Sequence, residues 1–270
     1  MSYVLEVRNL RKTYVRGGDM FDEGRKAERF VAVDDVSFEV APGETFAIVG
    51  ESGSGKTTLA RMILRLIEPD SGALLFEERD LLRLTGEELR AQRRQMQMIF
   101  QDPFASLNPR MRVGEIVAEP LAIHHPRCAA AEREERAKKM LERVGLDSSA
   151  LTRYPHEFSG GQRQRIGIAR ALILRPKLVV ADEPVSALDV SVGAQVLLLL
   201  QELQREFHLT YLLISHSLPV VAQLATHIGV MRSGQLIEYG PSNLILQRPS
   251  HAYTRELLAA VPEIPRARQV

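Results

Sequence analysis

The run "ETFAIVGESGSGKTTLARMI" constrains the fold of this chain more strongly than any other part of its sequence. Its first part, from Glu44 to Gly50, is short, mostly apolar and ends in glycine, as is typical of a buried strand that leads into a loop. Apolar residues then recur at helical spacing, at Leu59, Met62, Ile63 and Leu66. The pattern predicts a strand, a glycine loop and a helix, in that order.

Further strands and helices alternate later in the chain. The apolar runs "KLVVADE" (Lys177 to Glu183) and "TYLLISH" (Thr210 to His216) flank the amphipathic stretch "VGAQVLLLLQELQREF". This alternation predicts an α/β fold with a parallel sheet. Between residues 102 and 174 the pattern changes to helix-like segments rich in Ala, Glu and Arg, which predicts a helical subdomain inserted into the sheet domain.

Three segments near the ends of the chain allow predictions of local structure. "MSYVLEVRNLRKTY" alternates apolar and polar side chains and predicts a strand rather than a signal peptide. The charged segment from Arg16 to Arg29 predicts a surface loop or hairpin extension. The tail beyond Pro249 is predicted to pack loosely, apart from a short helix around "YTRELLAAV".

In 270 residues, 35 Lys and Arg nearly cancel 34 Asp and Glu, so the whole chain carries no electrostatic footprint of nucleic-acid binding. Its 45% hydrophobic content is ordinary for a globular protein, and no stretch approaches a membrane span. Cys128 is the only cysteine, and no Cys/His cluster has metal-ligand spacing. A reducing, cytosolic location fits best.

The glycine loop has the pattern GxxxxGK[ST], whose glycines let successive backbone amides turn toward a phosphate. We expect Lys56 to reach the β- and γ-phosphates of a nucleotide and the Thr57 hydroxyl to bind Mg²⁺. The alternative, a glycine-rich turn with an accidental lysine, is disfavoured by the strand before it and the helix after it. The candidate nucleotide-binding residues are Gly50, Glu51, Ser52, Gly53, Ser54, Gly55, Lys56, Thr57 and Thr58.

Polar residues follow the predicted strands at their carboxyl ends, where ligands of open α/β sheets bind. Asp182 is predicted to bind Mg²⁺, and Glu183 to act as the general base on the attacking water. Neighbouring side chains on a strand diverge, so these two carboxylates can divide the labour. Without the phosphate loop, an acidic pair that caps a strand would be an equally good interpretation.

Three further side chains join the candidate site. Gln101 follows the strand "QMQMIF", where its amide can reach metal or water, and His216 is placed to donate a hydrogen bond to the γ-phosphate. Tyr14 is a candidate for stacking on adenine. Each residue alone has an ordinary alternative, namely a surface glutamine, a structural histidine and a strand aromatic.

The stretch "EFSGGQRQR" looks like a second phosphate-binding element that has no lysine. Apolar residues mark a helix after it, at Ile166, Ala169, Leu172 and Ile173. Ser159, Gly160 and Gly161 would then lie at the helix N-terminus, where backbone amides and the helix dipole attract phosphate. The alternative is a serine that caps an ordinary helix.

The ordered set of Gly50 to Thr58, Gln101, "SGGQ" (Ser159 to Gln162), "ADEP", "SALD" (Ser186 to Asp189) and His216 resembles the ATP-binding-cassette ATPases over nearly the whole chain. The resemblance implies a P-loop NTPase (RecA-like) parallel-sheet core with an N-terminal antiparallel β subdomain and an inserted α-helical subdomain. On this basis residues 1–248 form the ATPase domain, with core segments 1–101 and 175–248, an insert at 102–174 and a C-terminal extension at 249–270.

The resemblance also implies two ATP molecules with Mg²⁺ in a head-to-tail dimer. Thr57, Gln101 and Asp182 would bind the metal, and Glu183, His216 and Gln101 would be the catalytic residues. Each ATP would lie between the phosphate loop of one subunit and Ser159, Gly160, Gly161 and Gln162 of the other. One chain would need two phosphate elements because they serve different ATP molecules.

Finer features, among them "QDPFASLNPRMRVGEIVAEPL" and "PSHAYTRELLAAVP", are similar to ATP-binding subunits of oligopeptide, dipeptide and nickel importers. That similarity implies two transmembrane permease subunits, a second ATPase subunit, an indirect extracytoplasmic solute-binding protein, no nucleic acid, and a location on the cytoplasmic face of the cell membrane. With Cys128 as its only cysteine, the chain is not expected to carry the iron-sulfur centre suggested by the cysteine cluster of many members.

Two departures from the family pattern are small: Phe158 replaces the usual leucine before "SGGQ", and Ser217 replaces the common aspartate after His216. The alternative function is a soluble, non-transport ATPase of a regulatory or metabolic complex, such as one for phosphonate degradation. A phosphate-loop kinase is disfavoured because it would leave "SGGQ" and His216 without a role. The sequence does not fix the cargo, nor whether the dimer pairs like or unlike subunits.

Overall fold

The structure is a computed structural model that describes residues 2–16 and 28–260. The strands, in chain order, are β1 (Leu5–Arg16), β2 (Glu28–Val40), β3 (Thr45–Val49), β4 (Ser71–Phe76), β5 (Arg79–Asp80), β6 (Met96–Ile99), β7 (Leu178–Asp182), β8 (Thr210–Ile214), β9 (His227–Arg232) and β10 (Gln235–Pro241). The α-helices are α1 (Lys56–Ile63), α2 (Gly86–Arg93), α3 (Val113–His124), α4 (Ala130–Arg143), α5 (Gly160–Leu172), α6 (Val190–Phe207), α7 (Leu218–Leu224), α8 (Ser242–Gln247) and α9 (Ala252–Ala259). Short 3₁₀ turns cover Leu81–Arg83, Ser148–Thr152 and Pro155–Glu157.

The chain divides into two compact units. The described residues before Thr85 and from Ile214 onward form the first unit, and Thr85–Leu213 form the second. The first unit contains an antiparallel sheet in the order β2-β1-β4-β5. Alternate residues of β1, such as Leu5 and Val7, are buried there, because the strand turns one face to the core.

The first unit also contains the strand that leads into the glycine loop. All five residues of β3 are buried, β9 lies parallel to β3, and β10 lies antiparallel to β9. The rings of Phe38 on β2 and Phe46 on β3 stack with centroids 4.7 Å apart. A strand buried on both faces reads as a continuous apolar run, which is why "TFAIV" has no polar alternation.

Helix α1 ends earlier than its apolar pattern predicts. Arg65 adopts φ 52°, its N–H donates to Met62 O at 2.8 Å, and the N–H of Leu66 donates to Arg61 O at 2.8 Å. This is the Schellman arrangement that ends a helix. The prediction that Leu66 continues the buried face was therefore wrong: Leu66 lies beyond the helix and is 53% exposed.

In the second unit, β6 and β7 are parallel, and β8 follows β7 in the sheet order. Every residue of β7 and of β8 is buried. Between β6 and β7 the described secondary structure is entirely helical, with α3, α4 and α5 in mutual contact. The predicted parallel strands and helical insertion are confirmed, whereas the domain limits at 102, 174 and 248 stay predictions.

The predicted loop between Arg16 and Arg29 falls largely on residues 17–27, which lie outside the described residues. In the tail, the predicted short helix is confirmed as α9, and two of its side chains, Tyr253 and Thr254, are buried at 4% and 1% exposure. None of the helices within residues 2–16 and 28–260 is long and apolar enough to cross a membrane.

Candidate functional site

The loop between β3 and α1 depends on glycine for its path. Gly50, Gly53 and Gly55 have φ of 151°, 79° and 104°, in a region that side chains disfavour. A Cβ on Gly50 would lie 2.1 Å from Met231 O, and one on Gly55 would lie 2.1 Å from Ala32 O. Close packing against the neighbouring backbone therefore excludes any residue other than glycine at both positions.

Lys56 places its charge inside this loop. The side chain is 6% exposed, and its ammonium donates to Gly50 O at 2.8 Å, to Glu51 O at 2.7 Å and to Ser54 Oγ at 3.3 Å. A buried ammonium needs such acceptors because desolvation disfavours an unpaired charge. The loop thus concentrates positive charge among backbone groups, which is the environment that a phosphate requires.

Two contacts from distant parts of the first unit support the loop, and the sequence analysis missed both. The N–H of Gly234 donates to Ser54 O at 3.0 Å, and the N–H of Glu51 donates to the hydroxyl of Tyr253 at 3.4 Å. No local pattern signals a contact between residues 202 positions apart. Thr57 and Thr58 follow in the first turn of α1 and are half-buried.

His216 lies in the same unit, two residues after β8 ends at Ile214. The N–H of its neighbour Ser215 donates to Ile48 O on β3 at 3.1 Å, and the His216 side chain is exposed. Tyr14 is half-buried on β1, paired across the sheet with Phe30, and the Lys12 ammonium lies 5.8 Å from the Tyr14 ring centroid. The roles of His216 and Tyr14 stay predictions.

In the second unit, the structure brings Gln101 and Glu183 together. Gln101 Nε2 donates to Glu183 Oε2 at 3.0 Å. Asp182 is the last residue of β7 and is 4% exposed, whereas Glu183 lies just outside the strand with φ 45°. The expectation that the strand pleat separates the two carboxylates was wrong, since a left-handed backbone at Glu183 turns its side chain away.

That left-handed conformation is held by local hydrogen bonds. Both the N–H and the Oγ of Ser186 donate to Glu183 O, at 3.2 and 3.1 Å. A residue with a side chain adopts such a conformation only where its surroundings over-determine it, and such positions cluster at functional sites. The glutamate is thus fixed by its backbone turn and by Gln101.

The loop that follows Gln101 is fastened to α5. Arg170 Nη1 donates to Ser106 O at 2.5 Å, and the Arg163 guanidinium carbon lies 4.1 Å from the ring centroid of Phe104. These arginines are seven residues apart and so lie on one face of the helix. Burial lowers the pKa of Arg170, and the charge of Glu119 partly opposes this shift.

The "SGGQ" segment opens α5, as predicted. Ser159 Oγ accepts from Gln162 N at 3.4 Å and Gln162 Oε1 accepts from Ser159 N at 3.0 Å, which together form a capping box. The alternative interpretation of Ser159 as a helix cap is therefore realised, and it leaves room for a ligand at the amides of the first turn. A Cβ on Gly160 would meet only Leu188 Cδ2 at 3.5 Å, whereas one on Gly161 would lie 2.2 Å from Val192 Cγ1.

The last residue of "SALD" has a capping role of its own. Asp189 Oδ1 accepts from Val192 N at 3.0 Å and from Ser191 Oγ at 2.8 Å at the start of α6. The hydrogen bond from the Val192 backbone is the main cause that lowers the pKa of Asp189. The carboxylate therefore stays ionised at the positive end of the helix.

A phosphate loop around a buried lysine, a strand-end carboxylate pair and a glycine-opened helix define a nucleotide-binding protein of the P-loop class. Residues 33–186 match the family described as "ABC transporter". The chain belongs to the ABC transporter family.

Among curated proteins, the chain is 50% identical over 260 residues to the oligopeptide transport ATP-binding protein OppF of Streptococcus mutans, covering 96% of this chain and 82% of that one. It is 51% identical over 261 residues to the dipeptide transport ATP-binding protein DppF of Lactococcus lactis subsp. cremoris, covering 96% and 81%.

Among solved structures, a dimeric post-hydrolysis state of the ATP-binding cassette MJ0796, bound to ADP and Pi, matches with a TM-score of 0.76 and 30% identity, over 88% of this chain and 98% of that one. The predicted fold class, a P-loop NTPase core with antiparallel and helical additions, is confirmed.

Proposed function

We propose that this chain is the ATP-binding and ATP-hydrolysing subunit of an importer for oligopeptides or dipeptides. The observation that carries the ATPase part is the glycine loop closed around the Lys56 ammonium, the arrangement by which P-loops bind the phosphates of a nucleotide. The names of the relatives support the importer and its peptide cargo.

Each residue of the proposed site has a defined task. The amides of Gly50 to Thr58 and the Lys56 ammonium bind the β- and γ-phosphates, Tyr14 stacks on adenine, and His216 donates to the γ-phosphate. Glu183 accepts a proton from the attacking water, and Gln101 orients the Glu183 carboxylate through its hydrogen bond.

The oxygen donors of Thr57, Gln101 and Asp182 fit a hard cation such as Mg²⁺. The described residues hold no cluster of three or more His, Cys, Asp or Glu side chains that could bind a metal, and the proposed set contains one carboxylate. When bound, Mg²⁺ would neutralise the negative charge of the β- and γ-phosphates.

The "SGGQ" element completes the site of a second subunit. We propose that the amides at the start of α5 face the γ-phosphate of the ATP that a partner subunit holds in its own loop. The open space around Gly160 and the positive end of α5 support this role. The partner is either a second copy or an unlike ATPase subunit, in a head-to-tail dimer.

Membrane subunits dock, in this proposal, on the helical insert. A cleft of about 510 Å³ lies against α3 and α4, and the small residues Gly114, Ala118 and Ala122 are among those that line it. Small side chains leave space for a helix of another protein to approach closely. The chain would thus lie on the cytoplasmic face of the membrane against two permease subunits, which receive the cargo from a solute-binding protein.

Transport in reconstituted vesicles tests the proposal. Ala122→Trp fills the cleft and should lower ATP-dependent uptake of a labelled dipeptide or oligopeptide by about tenfold, equivalent to about 1.4 kcal/mol of docking free energy. Phosphate release without the membrane subunits should stay unchanged. Ala131→Trp, on the exposed part of α4 outside the cleft, is the matched control.

Parallel loss of uptake and of phosphate release in Ala122→Trp would contradict docking at this cleft. Purification of the chain from membranes, with identification of every associated subunit, separates the importer from the soluble alternative. Association with soluble enzymes and no membrane subunit would overturn the importer.

A further inference from the structure

The C-terminal helix α9 contacts the phosphate loop through one side chain to which the proposed function gives no role. Tyr253 lies in the first turn of α9, and its hydroxyl accepts the hydrogen bond from the N–H of Glu51 at 3.4 Å. Glu51 is the second residue of the loop. The tail helix therefore touches the backbone of the nucleotide site itself.

Lys56 holds the same peptide unit from the other side. The Gly50 carbonyl, which accepts from Lys56 Nζ at 2.8 Å, and the Glu51 N–H belong to one peptide group. In a trans peptide the C=O and N–H point in opposite directions. The peptide between Gly50 and Glu51 is thus fixed between an ammonium and a phenol hydroxyl.

Tyr253 is itself firmly placed. Its ring lies under the Arg232 guanidinium, whose carbon is 4.5 Å from the ring centroid, and its N–H donates to His251 Nδ1 at 3.1 Å. Burial is the main cause that raises the pKa of Tyr253, and the nearby Glu51 carboxylate adds to the shift. The hydroxyl is protonated at physiological pH, and its oxygen accepts the Glu51 N–H through a lone pair.

The start of α9 is anchored on β10 by a single carboxylate. Glu238 Oε1 accepts from both N and Oγ of Ser250 at 2.7 Å, and Oε2 accepts from His251 N at 3.2 Å. Burial alone would raise the pKa of Glu238, but hydrogen bonds from the residues around the start of α9 lower it overall. Glu238 thus fixes the start of α9 and, through it, the position of Tyr253 beside the loop.

We infer that Tyr253 is a positioning residue for the phosphate loop and that α9 is part of the nucleotide site. The inference rests on the proposed binding of ATP in that loop. When the Lys56 ammonium turns from the Gly50 carbonyl to the phosphates, Tyr253 keeps the peptide oriented. Because the loop stays ordered, binding does not carry the entropic cost of ordering the loop again. That cost would weaken the affinity for ATP.

Equilibrium binding of the nonhydrolysable analogue adenylyl imidodiphosphate to the full chain tests this inference. Tyr253→Phe removes only the hydroxyl and should raise Kd about two- to tenfold, the usual range for one hydrogen bond. KM for ATP should rise by the same factor while kcat changes little, because the peptide is held in the ground state and the transition state alike. Tyr239→Phe, on an exposed ring of β10, is the matched control and should leave both constants unchanged.

A purely structural role would lower the melting temperature of Tyr253→Phe and leave Kd of the folded sample at the parent value, and that result would overturn the inference. If Tyr253→Phe does not fold, Glu238→Gln, which loosens the start of α9 from outside the loop, decides by the same criterion. If the parent chain does not bind the nucleotide, the proposed function fails, and the inference fails with it. If the parent chain binds the nucleotide and the variant binds it with the same Kd, the inference is contradicted and the proposed function is not.

Discussion

At Glu183 the backbone leaves the strand in a left-handed turn, which gives the side chain a direction that a continued strand would not give it. Asp182 is buried at the end of β7, and φ 45° at Glu183 directs the next carboxylate to Gln101. The two adjacent acids thereby have different surroundings, as their proposed tasks of metal ligand and general base require. The sequence predicts both tasks from the motif but not the turn that separates them. Ser186, three residues after Glu183, holds this turn by a local hydrogen bond, and Gln101, 82 positions before Glu183, contacts the carboxylate.

The base role of Glu183 predicts a separation of chemistry from binding. Glu183→Gln keeps the shape of the side chain but cannot accept the proton, so hydrolysis should slow by about 10²- to 10⁴-fold while ATP still binds. Phosphate release and equilibrium nucleotide binding measure the two effects. Glu142→Gln, on the exposed face of α4 outside the proposed docking cleft, is the control. Hydrolysis at the parent rate in Glu183→Gln would show that another group is the base.

Among the elements, α5 carries the most specific prediction. Gly160→Glu adds bulk and negative charge at a helix N-terminus, where it would oppose the γ-phosphate of a partner's ATP. The position tolerates a side chain in the isolated chain, so monomer binding of ATP should stay nearly unchanged while hydrolysis is abolished. Equilibrium binding at low protein concentration and phosphate release measure the two quantities.

Gly160→Gln, which adds the bulk without the charge, separates the two contributions in this test. Gly161 is unsuitable, because a side chain there would clash with Val192 and disturb the fold. A large loss of monomer affinity in Gly160→Glu would mean that "SGGQ" serves the nucleotide of its own chain.

The connection between β1 and β4 predicts a pH dependence of stability. Asp70 accepts from Lys12 Nζ at 2.8 Å and from the Thr13 N–H at 2.6 Å, and the hydrogen bond from Lys12 is the main cause that lowers the pKa of Asp70. A carboxyl whose pKa is lower in the folded state stabilises the fold above its unfolded pKa of about 3.9. This stability is lost as the pH falls through the folded value.

Asp70→Asn should therefore lower the free energy of unfolding at pH 7 by about 0.5 to 1 kcal/mol, as expected for a partly exposed ion pair. The difference from the parent should shrink as the pH falls below about 4. Urea unfolding at a series of pH values measures it, with Glu78→Gln as an exposed control. A difference that stays constant down to pH 3 would contradict the assigned cause.

Elements specified by local signals are predictable from the sequence, and elements ended by tertiary contacts are not. The strand β3, the glycine loop and the start of α5 follow from apolar runs, glycines and a capping serine. Leu66 fits the helical period of α1, yet Arg65 ends the helix, and the Arg65 guanidinium bonds Glu68 and the backbone of Leu81. That neighbourhood exists only in the folded chain.

The same contrast holds for the candidate site. Lys56 and Glu183 lie in sequence motifs, so the sequence alone predicts both as site residues. Tyr253 begins the short tail helix that the sequence predicts, but its contact with Glu51 joins residues 202 positions apart, and no sequence pattern predicts it. Long-range pairings of this kind have no sequence period.

At the scale of the whole molecule, the two phosphate elements of a chain are proposed to serve different ATP molecules. In the proposed dimer, the Lys56 loop binds the nucleotide of its own chain, and the start of α5 binds that of a partner. ATP that is bound but not consumed should therefore join two subunits, and loss of the loop charge should prevent this.

Light scattering with and without ATP and Mg²⁺ measures this association most directly. Glu183→Gln should shift toward dimer in ATP and Mg²⁺, either by itself or only when an unlike ATPase partner is added. Lys56→Ala, which lacks the positive charge opposite the β- and γ-phosphates, should bind ATP poorly and stay monomeric under every condition. If Glu183→Gln is inactive and saturated with nucleotide yet associates neither with itself nor with any candidate partner, the assignment of "SGGQ" to a partner's ATP is contradicted.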